Sequence, residues 1–297
     1  MQEIIEDEYT TPKIAHLAGI VPIAGKALDF DMPWPDAMMP IAPNYIAAER
    51  AILECAWAGC ETIWVVCNQN SARLLKNKIG DFVYDPVRSY FKHKMPDGKI
   101  ATMFKKIPIY YVPVYTKNRA KISLAYSVIQ GAYSAYYASW RISKWMLPAM
   151  YYVAFPYGVY SPKLVSKNRE RLSTYENYLV STKDGKTVLD NEYLGFTFSR
   201  KQYKQFRDMI TKRKVKKDWN DYTLADVFNK DIVVQYNEIK TKSYDNISNW
   251  NGYCQFLGSN QTKYYTNNTV KKYFVDKAYT LYGIVDEPEE EEQDGNV

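Results

Sequence analysis

The sequence predicts a single α/β domain: a mostly parallel β-sheet flanked by helices, with an additional α+β portion toward the C-terminus. Three observations carry this expectation. Short apolar runs of strand length alternate with amphipathic runs of helix length through the first half of the chain. The first strand, loop, helix and second strand make a βαβ unit, whose crossover is right-handed. After Tyr175 the pattern changes to short strands around one helix, with no internal repeat and no Ser/Gly linker to announce a second domain.

The elements follow in order. Ile14 to Gly25 (IAHLAGIVPIAG) is a short apolar run closed by glycine, as in a strand buried on both faces. Lys26 to Pro43 is too rich in proline for a helix interior and reads as a loop. From Asn44 the apolar positions fall at mostly helical spacing, and Gly59 supplies a C-terminal stop. Thr62–Cys67 is a second buried strand, followed by a helix over Asn70–Ile79 and a third strand at Ile107–Val114. A long helix is expected from Ile122 to Trp145 and a fourth strand over Met150–Phe155. Short strands at Tyr178–Ser181, Tyr193–Phe198 and Ile232–Tyr236 surround a helix at Arg200–Ile210. Residues 1–13 form an N-terminal extension, 14–284 the domain, and 285–297 an acidic tail expected to be disordered, since like charges repel and little there can be buried.

Composition narrows the function classes. No apolar run approaches the roughly 20 residues of a membrane helix, and the acidic N-terminus lacks a signal-peptide layout, so a soluble cytoplasmic protein is expected. Cys55, Cys60, Cys67 and Cys254 form no C-x-x-C pair and read as buried free thiols. His16 and His93 are the only histidines, which excludes a multi-histidine metal centre. The formal charge of +6 includes the acidic run Asp286–Glu292, so the rest of the chain is more basic than the total. Lys212–Lys217 is a dense cationic patch, either a solvated helix end or a phosphate- or nucleic-acid-binding surface. Most of the 28 tyrosines are expected to pack, including Tyr126, Tyr133, Tyr136 and Tyr137 on the long helix.

Four segments in order resemble a known family. They are Gly19–Gly25 (GIVPIAG) with Pro35–Ile41 behind it, Ala58–Val66 (AGCETIWVV), Glu192–Ser199 (EYLGFTFS) and Tyr244–Tyr253 (YDNISNWNGY). Together they resemble the sugar-1-phosphate nucleotidyltransferases, relatives of the GT-A glycosyltransferases. The likeness spans roughly Ile14 to Gly258. It implies a nucleotide or nucleotide-sugar ligand and a magnesium or manganese ion held by carboxylates. Such chemistry brings two polyanions together and stabilises charge growing on phosphoryl oxygens.

The resemblance implies these residue roles. Ala24, Gly25 and Ser123 would shape the nucleotide pocket, Lys26 would contact phosphates and serve catalysis, and Asp245 would bind the metal. The first loop lacks the family's arginine. Asp36 stands where the family keeps a lysine, and Tyr157 where it keeps a metal-binding aspartate. Asp29-Phe30-Asp31 has a D-x-D form, open to reading as further metal ligands or as a solvated turn. Arg119 and Lys121, near a helix N-terminus, suit phosphate or simply a charged first turn. Arg50 and Glu54 are spaced for an ion pair within the first helix. The implied activity is altered or lost nucleotidyl transfer. Two alternatives stay open: a non-catalytic scaffold with a basic, tyrosine-rich surface, and a nucleic-acid-modifying glycosyltransferase.

Overall fold

The computed structural model describes residues 15–24, 28, 30, 32, 34–94, 100–114, 123–142, 146–212, 223–229, 236–259 and 262. Strand β1 (Leu17–Pro22) leads through a 3-10 turn (Asp36–Met38) to the short strands β2 (Pro40–Ala42) and β3 (Tyr45–Ile46) and helix α1 (Ala47–Ala58). Then come β4 (Thr62–Asn68), α2 (Gln69–Ile79), β5 (Phe82–Lys94), β6 (Ile100–Val114), α3 (Leu124–Ile142) and β7 (Met150–Val153). The second half holds β8 (Gly158–Val159), α4 (Pro162–Lys167), α5 (Arg169–Leu172), β9 (Asn177–Ser181), β10 (Phe196–Ser199) and α6 (Arg200–Lys212). It closes with α7 (Leu224–Asn229), β11 (Tyr236–Lys240), β12 (Asp245–Asn246) and α8 (Trp250–Gly258).

Eight strands form one sheet in the order β11-β9-β10-β7-β1-β4-β6-β5. Its centre is parallel: β1 pairs with both β4 and β7, and β4 with β6. β10 runs antiparallel to β7 and β9, and β5 antiparallel to β6. Alternating side chains feed two cores. Leu17 and Val21 of β1, Ile63 and Val65 of β4, and Tyr152 of β7 face α1 and α2. Ala18, Ile20, Trp64, Val66, Tyr151 and Val153 face α3, α6 and α7. This double burial is why the central strands read as continuous apolar runs.

The local differences from the sequence expectation have identifiable causes. The helix begins at Ala47 rather than Asn44, because Asn44 turns the chain with φ of 55° and Glu49 Oε2 accepts the Ile46 N–H at 2.9 Å. Gly59 ends it with φ of 96°. The expected loop Lys26–Pro43 contains the turn and β2. β5 was not anticipated; its Pro86 and charged residues are tolerated because β5 is the sheet's edge. Ile107–Val114 is only the second half of β6, and the long helix is described over Leu124–Ile142. β7 stops at Val153, two residues early. The expected strand at Tyr193 starts at Phe196, and of the strand expected over Ile232–Tyr236 only Tyr236 lies within the described residues, where it opens β11. Cys55, Cys60 and Cys67 are buried free thiols, with burial pushing Cys67 up to about 12, but Cys254 is exposed. No helix among the described residues is long and apolar enough to cross a membrane.

Two buried ion pairs fix α1. At its C-terminal end, Arg169 of α5 makes a two-pronged bond to Asp85 of β5 at 2.6 and 2.9 Å and donates to the Ala56 carbonyl at 3.0 Å. In its middle the ion pair expected within the helix is present, Arg50 to Glu54 at 2.7 Å, with both side chains inside the protein at 4% and 3% exposure. Its reach is longer than the sequence suggests. Arg50 also donates to the Phe155 carbonyl, while Tyr152 (2.6 Å) and Tyr160 both donate to Glu54 Oε1. Burial first, then the Glu54 charge, pushes both phenols well up, so they remain donors. Gly195 completes the knot: a Cβ there would lie 2.6 Å from the Tyr152 hydroxyl and 2.9 Å from Glu54 Oε1.

Removing one member leaves a buried charge unpaired. Arg50→Met is therefore expected to cost about 3–5 kcal/mol in urea unfolding. A loss below about 1 kcal/mol would show that the pair does not hold the fold.

Candidate functional site

Open α/β sheets bind ligands beyond the carboxyl ends of their parallel strands. Here β1 and β7 end side by side, the Ala154 N–H meeting the Ile20 carbonyl at 3.0 Å. Three segments distant in sequence converge on that edge.

The first follows β1. Ala24 is buried, with its N–H on the Val66 carbonyl at 2.8 Å and its own carbonyl accepting from Ser127 of α3. Asp36 closes this loop by accepting the Leu28 N–H at 2.6 Å. The second follows β7, where Phe155 is anchored by Arg50, and Tyr157 is 8% exposed. The third is β12 with α8. β12 pairs antiparallel with β8, setting Asp245 opposite Val159, and the Ile247 N–H donates to the Tyr157 carbonyl at 2.9 Å. From α8, Trp250 meets the Phe30 ring edge-on at 6.4 Å, and the Tyr253 hydroxyl donates to the Pro40 carbonyl at 2.6 Å. α8 thus straps the first segment to the third.

A fourth segment, Glu192–Gly195, is stitched in from the side. Glu192 accepts from Tyr244 at 3.0 Å and from Asn246 at 3.2 Å, and Tyr244 accepts the Tyr193 N–H at 3.0 Å. Those bonds take Tyr193 out of β10. Its ring stands edge-on to Tyr157 at 5.5 Å. Gly158 admits no side chain, since a Cβ would fall on the Tyr193 carbonyl oxygen.

The electrostatics of the edge are acidic and phenolic. Partial burial raises the Asp36 carboxyl, opposed by the Leu28 bond, and raises Asp245, opposed by the Ser259 hydroxyl at 3.5 Å. Burial pushes the Tyr157 phenol far up, and the nearby Asp36 charge pushes it further. Asp36 and Tyr157 are thus linked electrostatically at this edge.

The other expected residues fall as follows. Ser123 is half-buried and caps α3, accepting the Tyr126 N–H at 3.2 Å. The contact from α3 to the end of β1 comes from Ser127, one turn on. Gly25, Lys26, Asp29, Asp31, Arg119 and Lys121 lie outside the described residues. So do the acidic tail and the Lys212–Lys217 patch, apart from the backbone of Lys212 at the end of α6. Sequence reasoning missed Tyr152, Tyr160 and Glu192, whose partners are too remote in sequence for any spacing rule to link.

Among the described residues no three His, Cys, Asp or Glu side chains are grouped to hold a metal. A divalent ion needs several oxygens. Asp245 offers one carboxylate, Asp36 is engaged by Leu28, and Tyr157 is a protonated phenol, so the described donors do not fit such an ion by themselves. Asp29 and Asp31 would have to complete the set.

No protein-family model and no curated protein matches the sequence. Solved structures do. A Bacillus anthracis protein assigned as a glucose-1-phosphate thymidylyltransferase, in complex with sucrose, superposes with a TM-score of 0.54 at 10% identity, over 83% of this chain and 99% of that one. The chain has the fold of the sugar-phosphate nucleotidyltransferases. A UDP-glucose pyrophosphorylase complexed with UDP-glucose matches with a TM-score of 0.51 at 13% identity, over 84% of this chain and 99% of that one. The inositol-1-phosphate CTP transferase of T. maritima gives 0.51 at 12%, over 86% and 100%. This nucleotidyltransferase fold accounts for the parallel centre of the sheet and the antiparallel β10 beside β7.

The raised Asp36 carboxyl yields a pH test. Its folded value lies above its unfolded one, so its contribution to stability is full at low pH and is lost as pH rises through the folded value. Asp36→Asn keeps an acceptor for Leu28 and removes that titration. The variant should gain in melting temperature relative to the parent between about pH 4 and 7. A difference constant with pH, or one that grows toward low pH, would contradict the burial of this carboxylate.

Proposed function

We propose that the protein binds a nucleotide or nucleotide sugar at the carboxyl edge of β1 and β7, with nucleotidyl transfer altered or lost. What supports this reading is the convergence at that edge of the Asp36 loop, the Tyr157 segment and strand β12, whose Ile247 N–H donates to the Tyr157 carbonyl, in a chain with the nucleotidyltransferase fold. Ala24 and Gly25 shape the floor of the pocket. Ser123 borders it at the N-terminus of α3, where helix N–H groups favour an anion. Lys26 supplies a point charge to phosphate and is the cation of any remaining catalysis.

Nucleotidyl transfer makes a bond from an attacking phosphate oxygen to the α-phosphorus and breaks the bond from that phosphorus to the bridging oxygen of pyrophosphate. Charge grows on the phosphoryl oxygens as it does so. A carboxylate at 36 repels that charge, and a phenol at 157 brings no carboxylate for a metal. Electrostatic groups of this kind are each worth about 10²–10³ in rate. Turnover far below a typical ~10 s⁻¹ follows. Asp245, joined by Asp29 and Asp31, is the carboxylate set we assign to a magnesium or manganese ion. A reducing cytoplasm is the proposed setting, in keeping with three buried free cysteines.

UDP-glucose, the ligand of one structural neighbour, is the first compound to test. At a hundred times its dissociation constant a ligand adds about 2.7 kcal/mol of stability. Thermal shift across nucleoside triphosphates and nucleotide sugars, with and without magnesium or manganese, should show such a gain. Asp245→Asn should remove its metal-dependent part and leave the unliganded melting temperature nearly unchanged. No shift with any compound would reject the binding role. Pyrophosphate-dependent turnover near ~10 s⁻¹ would reject the loss of catalysis.

A further inference from the structure

The outer face of α3 carries an aromatic ladder that the packing of the sheet does not use. Tyr133, Tyr137 and Trp140 stand at i, i+4 and i+7 and are 40%, 41% and 47% exposed. The expectation that these tyrosines pack holds for Tyr136, which meets Tyr203 of α6 at 5.7 Å, but not for its outward neighbours. Tyr133 and Tyr137 lie parallel with centroids 5.7 Å apart, and Tyr137 and Trp140 follow at 6.4 Å. Arg141 caps the row. Its guanidinium sits 5.1 Å from the Tyr137 ring centre and 5.9 Å from that of Trp140, and donates to the Tyr137 hydroxyl at 2.6 Å.

The sequences of the two helices are strongly cationic. α3 contains no acidic residue, and α6 beside it reads RKQYKQFRDMITK, five cations to one anion. Tyr203, which joins the two helices, is followed by Lys204 and, one turn on, by Arg207. The contact of Tyr136 with Tyr203 sets the cations of α6 beside the ladder of α3.

We infer that this α3–α6 face binds single-stranded nucleic acid, with unpaired bases stacking on Tyr133, Tyr137 and Trp140 and phosphates paired by Arg141, Lys204 and Arg207. Exposed aromatic rings interleaved with cations suit a chain that offers flat bases and a negative backbone together. A duplex hides its bases and offers only the backbone. A protein partner would be drawn to apolar area instead, and the cations crowd that area here. The inference stands apart from the nucleotide pocket, and its test uses no free nucleotide.

The test is fluorescence anisotropy of a labelled oligothymidylate of about a dozen nucleotides, which covers one site of this size. Binding should weaken on the order of tenfold between about 50 and 200 mM salt, as for three neutralised phosphates on a single strand. Tyr137→Ala with Trp140→Ala should weaken it roughly tenfold or more, since two stacking rings are lost. Tyr137→Phe, which keeps the ring, should bind like the parent. Because these side chains are exposed, melting temperatures should stay close to the parent's, so lost binding reads as a lost surface. Absence of binding at low salt, equal binding by the alanine variant, or equal competition by duplex would each overturn the inference. So would a solution dimer that the alanine variant dissociates, because a second copy would then cover the face.

Discussion

The Arg50–Glu54 pair is the constraint on which the carboxyl edge of β1 and β7 depends. Ion pairs within one helix are ordinarily surface features worth a few tenths of a kcal/mol. This one is inside the protein, where neither charge is stable alone, so the pair draws in further hydrogen-bonding groups. The filling groups come from elsewhere: the Phe155 carbonyl just beyond β7, the Tyr152 hydroxyl within it, and the Tyr160 hydroxyl just after β8. Satisfying the pair therefore fixes where β7 ends and how the chain turns into Tyr157. β12 then pairs with β8, and Ile247 with Tyr157, on a segment already held in place.

The same edge gives the pairing of aspartate at 36 with tyrosine at 157 a physical sense. With a lysine at position 36, a carboxylate at 157 would have a cation beside it. With aspartate at 36, a carboxylate at 157 would face a like charge in a partly buried setting, which is costly. A phenol avoids that conflict, because burial and Asp36 together keep it protonated.

Much of this was legible in the sequence for reasons that can be named. The central strands read clearly because burial on both faces removes polar alternation, and the βαβ order dictates a parallel pairing. The Arg50–Glu54 contact was legible because helical spacing is local. Its tyrosine partners were not, since Tyr152 and Tyr160 reach Glu54 only through the fold. Edge strand β5 escaped because its proline and charges carry the signature of a loop. Asp36 and Tyr157 were noted one by one through the resemblance, but their electrostatic link needed the fold. Ser123 illustrates the limit at the scale of one turn: the sequence singled it out for the pocket, whereas it caps α3 and the contact to Ala24 belongs to Ser127.

The most direct test is a crystal structure determined with UDP-glucose and magnesium. The account predicts nucleotide density at the carboxyl edge of β1 and β7, between the N-terminus of α3 and the Tyr157–Asp245 junction, with Phe155 still bonded to Arg50. Density elsewhere on the molecule, or that edge filled by side chains with UDP-glucose excluded at saturating concentration, would contradict it.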